Sequence, residues 1–197
     1  MTISKIRMRL FIILAASILI VSSTSAEEVS LGNTQAPVTL IEYGSLTCGK
    51  CLHFHIYVFP QIKKHYIDEG IVRFIYRHFP TSGAAVHGAR AAQCAGEKYY
   101  EMLDVLFSTV ANWSRAENRD EIFVKQATSL GLNSEEFLTC NSDKKLLDDI
   151  LNQQQAAKSD LDVSGTPTFF INRKIVRGKR SFVEMKVLIS EALNQDN

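Results

Sequence analysis

The chain has 197 residues, 46% of them apolar, and 22 Lys and Arg stand against 21 Asp and Glu for a formal charge of +1. That balance carries no basic stripe of the kind that binds nucleic acid or a membrane surface, and the apolar content suits one globular domain with a real core. Four cysteines are the most telling part of the composition.

Lys5, Arg7 and Arg9 lead into an apolar run from Leu10 to Val21, and Ser22 to Ala26 follow before the acidic pair Glu27-Glu28. Basic, apolar and small-residue regions in that order predict a secretory signal peptide over residues 1–26, cleaved after Ala26. The apolar run is about 12 residues, short of the roughly 20 that a membrane-crossing helix needs. An uncleaved anchor is the alternative. Residues 27–197 then form the working domain, with 19 basic against 21 acidic side chains and all four cysteines. An even cysteine count in an exported chain points to disulfide chemistry.

Val38 to Tyr43 is mostly apolar and β-branched, which predicts a central strand. Thr47 is the expected N-cap of a helix opening at Cys48 and running towards Tyr66, with a kink or restart at Pro60. Ile71 to Phe79 reads as a second strand, completing a βαβ unit. From about residue 84 to 161 strand signals vanish, and helices are expected over 84–98, 99–111, 119–130, 134–140 and 143–161. Strands return at Thr168–Asn172 and Ile175–Arg177, and an amphipathic helix spans Phe182 to Leu193. The order describes an α/β domain interrupted by an all-helical insert.

Cys48-Gly49-Lys50-Cys51 stands where the first strand feeds a helix. Open backbone N–H groups and the positive helix end favour a thiolate at Cys48, and two intervening residues bring both sulfurs to one side of the first turn. Leu52 excludes a haem-attachment motif. A zinc set of Cys48, Cys51, His53 and His55 is less favourable, because structural zinc draws on separated knuckles. No metal is expected. His53 and His55 are expected on the helix surface, His55 flanking the site four residues after Cys51.

Ala36-Pro37-Val38 through Tyr43, Leu46-Thr47-Cys48-Gly49-Lys50-Cys51 with Phe54-His55, Ala92-Gln93-Cys94-Ala95-Gly96-Glu97, and Val163-Ser164-Gly165-Thr166-Pro167-Thr168 through Asn172 occur in that order. Together they resemble the DsbA-like thiol:disulfide oxidoreductases, from about residue 31 to 193. The resemblance implies a thioredoxin fold, a βαβ unit plus a ββα unit, with the helical subdomain inserted. Many relatives carry other residues where Gly49-Lys50 stands, a departure that bears on the redox potential. The resemblance also implies a cis peptide before Pro167, packed on the redox pair, with Gly165 and Thr166 offering backbone to an extended client. It places Glu42 as a buried acid near Cys51, a proton relay. A strand-end acid paired with Arg73 or Arg77 is the plainer alternative. Cys94 and Cys140, 46 residues apart and without a Cys-x-x-Cys partner, are expected to form a structural disulfide, or else to be two buried thiols.

The function implied is donation of the Cys48–Cys51 disulfide to reduced exported proteins in the periplasm. It uses no cofactor and no nucleic acid, and a membrane thiol oxidase restores the pair. A reductase or isomerase on the same fold, or a Cys-x-x-Cys metal-binding or chaperone module, are the alternatives.

Overall fold

The computed structural model describes residues 28–195, so the expected signal segment 1–26 lies outside the described residues. Five strands form one sheet in the order β1-β3-β2-β4-β5. Their ranges are β1 (Ser30–Leu31), β2 (Val38–Gly44), β3 (Val72–His78), β4 (Thr168–Ile171) and β5 (Lys174–Arg177). β2 lies at the centre, parallel to β3 and antiparallel to β4. A strand covered on both faces has to be apolar almost throughout, and β2 is. Val38 and Leu40 enter the main core with Phe54, Phe74 and Phe169, while Tyr43 packs on the other face with Phe79, Ala157 and Val163. The period of two along the strand therefore puts Glu42 on the same face as Val38 and Leu40. In register it has Tyr76 on one side and Phe169 on the other.

β2 leads into a long helical path made of α1 (Gly49–His53), a π-turn at Phe54–Val58, α2 (Phe59–Ile62) and a second π-turn at Lys63–Ile67. The expected restart at Pro60 takes this form. Proline has no N–H for the preceding turn, and Pro60 stands in the first turn of α2 directly after the first widened turn. β4, β5 and α9 (Phe182–Gln195) supply the ββα half.

Between β3 and β4 stand α3 (Gly83–Gln93), a 3₁₀ turn at Gly96–Lys98, α4 (Tyr99–Ser108), α5 (Val110–Trp113), α6 (Arg119–Ser129), α7 (Ser134–Asn141) and α8 (Lys144–Leu161). Ser82, Asn133 and Asp143 cap α3, α7 and α8 with side-chain oxygens. The helix expected over 84–98 stops at Gln93, because Gly96 turns the backbone to φ +54°. Trp113 is fully buried, donates its indole N–H to the Leu106 carbonyl at 2.8 Å and packs on Phe123. α3 approaches it closely: a Cβ at Gly88 would lie 3.0 Å from the Trp113 ring and 2.8 Å from Leu46, just ahead of Cys48. The helical block is thereby pressed against the loop that carries the cysteines.

Cys94, after α3, is disulfide-bonded to Cys140 in α7, with a sequence separation of 46 and Cα atoms 5.7 Å apart. A loop of that length stabilises by about 4 kcal/mol in the chain-entropy account. Replacing both cysteines by Ala should lower the melting temperature by roughly 8–16 °C for a domain of this size. A calorimetric scan that finds no change would mean that helix packing alone closes the block.

Candidate active site

Cys48 occupies the N-cap of α1 itself, with φ −81° and ψ 119°. Thr47, the expected cap, instead pairs its hydroxyl with Ser82 at 2.9 Å. No side chain caps the first turn, so its N–H groups remain open to the Cys48 sulfur. Both thiols are free, Cys48 half-buried and Cys51 fully buried. Cys48 Sγ stands 3.5 Å from the Thr166 carbonyl, which accepts from it when the thiol is protonated.

The two sulfurs differ sharply in acidity. The Cys51 thiol donates to Cys48, and the Thr166 side chain and the Cys51 and Lys50 backbone N–H groups add to it. Against partial burial, these bring Cys48 down to about 5. Burial pushes the Cys51 thiol far up, and its hydrogen bond to Cys48 and the charge of Glu42 push the same way. One is built to be a thiolate, the other a thiol.

The Thr166–Pro167 peptide is cis and Pro167 is buried. The Gly165 carbonyl accepts from the Thr168 hydroxyl at 2.6 Å, and the Pro167 carbonyl accepts from Gly178 N–H at 2.8 Å. Gly165 and Thr166 remain partly exposed next to Cys48. Gly49 and Lys50 are exposed, and a Cβ at Gly49 would meet nothing within 4 Å.

Glu42 is fully buried and pairs with neither Arg73 nor Arg77. Arg77 binds Glu28 and the Tyr43 hydroxyl on the opposite face. The partner of Glu42 is His55, Nε2 to Oε2 at 2.9 Å. His55 is thus buried, not on the helix surface, and this corrects its expected place. It lies within the first π-turn, and its ring stacks on Phe107 of α4 with centroids 3.9 Å apart. The corrected position also removes His55 from any zinc set with Cys48 and Cys51, and among the described residues no cluster of three or more His, Cys, Asp or Glu side chains gathers to hold a metal. Tyr76, beside Glu42 in the sheet, is a further site residue that sequence reasoning missed, and its buried hydroxyl has no protein partner.

The thioredoxin family model matches residues 24–191. Among solved structures, Wolbachia pipientis alpha-DsbA1 is 30% identical, with a TM-score of 0.78 over 86% of this chain and 92% of that one. The chain belongs to the DsbA-like branch of the thioredoxin family. A DsbA-like chain of this kind is also 26% identical over 171 residues to disulfide bond formation protein D of Bacillus subtilis, covering 83% of this chain and 76% of the relative. It is 30% identical over 148 residues to a Rickettsia prowazekii protein provisionally named a protein-disulfide oxidoreductase, covering 74% of this chain. It spans 54% to 61% of the length of such Rickettsia relatives.

The acidity of Cys48 makes stability depend on pH in the reduced DsbA-like chain. Its pKa falls on folding from 9.0 to about 5, so the thiolate contributes stability that is complete above pH 9.0 and lost as pH drops through about 5. The oxidised form has no such titration. Urea midpoints of reduced and oxidised protein, compared at about pH 4.5 and about pH 8, should show the reduced form gaining at the higher pH. Equal shifts in both forms would exclude a depressed Cys48.

Proposed function

We propose that the chain is a thiol:disulfide oxidoreductase that donates its Cys48–Cys51 disulfide to exported proteins as they fold. The observation that carries the reading is the opposed acidity of the two sulfurs. A Cys48 thiolate stabilised near pKa 5 favours the reduced state of the pair, which makes the disulfide a good oxidant.

The client enters as a thiolate, and its sulfur attacks Cys48, the accessible half of the disulfide. The new client–Cys48 bond forms as the Cys48–Cys51 bond breaks, and the electron pair leaves on Cys51. Cys51 takes a proton, with Glu42 as the relay. A second client thiolate then attacks the client sulfur, the client disulfide forms, and Cys48 departs as a thiolate. Two electrons pass from client to chain. One of the two client protons is balanced by the one on Cys51, and the other goes to solvent. No cofactor takes part. Gly165, Thr166 and Pro167 border Cys48 and are the backbone against which an extended client would lie. Reduced exported proteins are the clients, a membrane thiol oxidase reoxidises the pair, and residues 1–26 direct the chain to the periplasm.

Equilibration with glutathione should give a reduction potential above about −270 mV, the value for thioredoxin. A lower potential would make the chain a reductase. Cys51→Ala should trap clients as disulfides on Cys48, and Cys48→Ala should trap none.

Glu42→Gln keeps a hydrogen-bonding partner for His55 and loses the carboxylate. It should slow turnover roughly tenfold or more while the protein stays folded. An unchanged rate across pH would leave Glu42 a purely structural residue.

A further inference from the structure

Glu42 and His55 form a pair with side chains 0% and 3% exposed, yet Glu42 Oε1 and His55 Nδ1 have no protein partner. Leaving a buried polar atom open costs about 1–3 kcal/mol, so two such atoms in one pair call for a use. A group that passes a proton needs two working sides, one to receive and one to give. The imidazole has them: Nε2 faces Glu42, and Nδ1 is buried with no protein partner.

The ring is held rigidly. It stacks on Phe107 with an interplanar angle of 14°, and Phe59 and Tyr76 pack round it with centroids 5.2 and 5.5 Å away. Asp104 lies on α4 one turn before Phe107, at the protein surface. Although the residue is exposed, partial burial raises the Asp104 carboxyl, and the charge of His55 opposes that rise, so the two groups are in electrostatic reach. The titratable neighbours of the pair are Cys51 on α1 and, beyond it, Cys48 at its N-cap, with Tyr76 on β3 and Tyr99 on α4. Asp104 on α4 has Glu101 beside it, and Lys63 of the second π-turn faces it.

We propose that His55 carries the proton that Cys51 gains or loses, passing it between Glu42 and the surface of α4 at Asp104. This rests on the exchange chemistry proposed above. When the Cys48–Cys51 bond breaks, Cys51 takes a proton from the Glu42 carboxyl. Glu42 recovers it from Nε2 of the His55 imidazolium, and the buried Nδ1 takes up the replacement, which reaches it from the surface by way of Asp104. Reoxidation runs the transfers backwards. Electrons stay with the sulfurs, and only protons cross the pair. His55 touches neither sulfur nor client, so it is a positioning residue that acts through Glu42.

His55→Gln tests this directly, because its amide can still donate to Glu42 but has no proton to transfer. Full-length oxidised protein is mixed with a reduced dithiol peptide, and disulfide loss is followed in a single turnover across pH. The variant should melt near the wild type and react at least about tenfold more slowly at about pH 6. The pH dependence that remains after correction for the peptide thiol should disappear. A folded variant with the wild-type rate and profile overturns the relay. In the unsubstituted protein, the pH midpoint of the corrected rate should coincide with the midpoint of the His55 imidazole nitrogen signals in NMR. A His55 that keeps one protonation state while the rate changes overturns the relay even where the variant does not fold. A wild type that oxidises no peptide overturns both the oxidoreductase reading and the relay, whereas an active wild type beside an unaltered variant removes the relay alone.

Discussion

The first turn of α1 places two identical thiols three residues apart in opposite surroundings, and everything else at the site follows from that. At the N-cap, a sulfur meets open N–H groups and the positive end of the helix. One turn in, the next sulfur is enclosed by the core and faces a buried acid. No catalytic group has to move to create the difference. It comes from where the helix starts: α1 opens at Gly49 with Cys48 as its N-cap, while the Thr47 hydroxyl is engaged by Ser82.

That start is held from two sides. β2 enters from the centre of the sheet, with hydrogen-bonded neighbours on both edges. α3 presses on Leu46 through the gap left by Gly88, with Trp113 behind it. The helical block therefore supports the cysteine loop as well as covering it. Glu42 is the cost of the arrangement: a fully buried carboxyl, answered by a single imidazole that a π-turn delivers.

Much of this was legible in the sequence, for identifiable reasons. β2 carries an almost continuous apolar run, so its central place and the oddity of Glu42 within it could both be read. The Cys-x-x-Cys spacing speaks for itself when it follows a strand. β1 leaves no mark in the sequence pattern, because Ser30 and Leu31 are too few to show a period and their partners Ile75 and Phe74 lie far along the chain. Regular helical spacing puts His55 on the helix surface because it does not anticipate a π-turn, and a histidine reads as a surface residue until the acid beneath it is located. The end of α3 depends on a left-handed Gly96, which helical spacing alone does not reveal, whereas the helix expected over 119–130 ends within a residue of α6. α7 does begin at Ser134, as its spacing predicts, with Asn133 capping the first turn.

The empty space around Gly49 has an evolutionary consequence. A side chain added there meets no neighbour, and Lys50 beside it is exposed. The two residues between the sulfurs can therefore drift without disturbing the packing that keeps the domain folded. They follow Cys48 directly in the chain, and the Lys50 backbone N–H reaches its sulfur, so changes there can alter the electrostatic field it experiences. A lineage can therefore retune oxidising strength through the stability of the reduced form alone, while the core that keeps the oxidised form folded stays under its own selection.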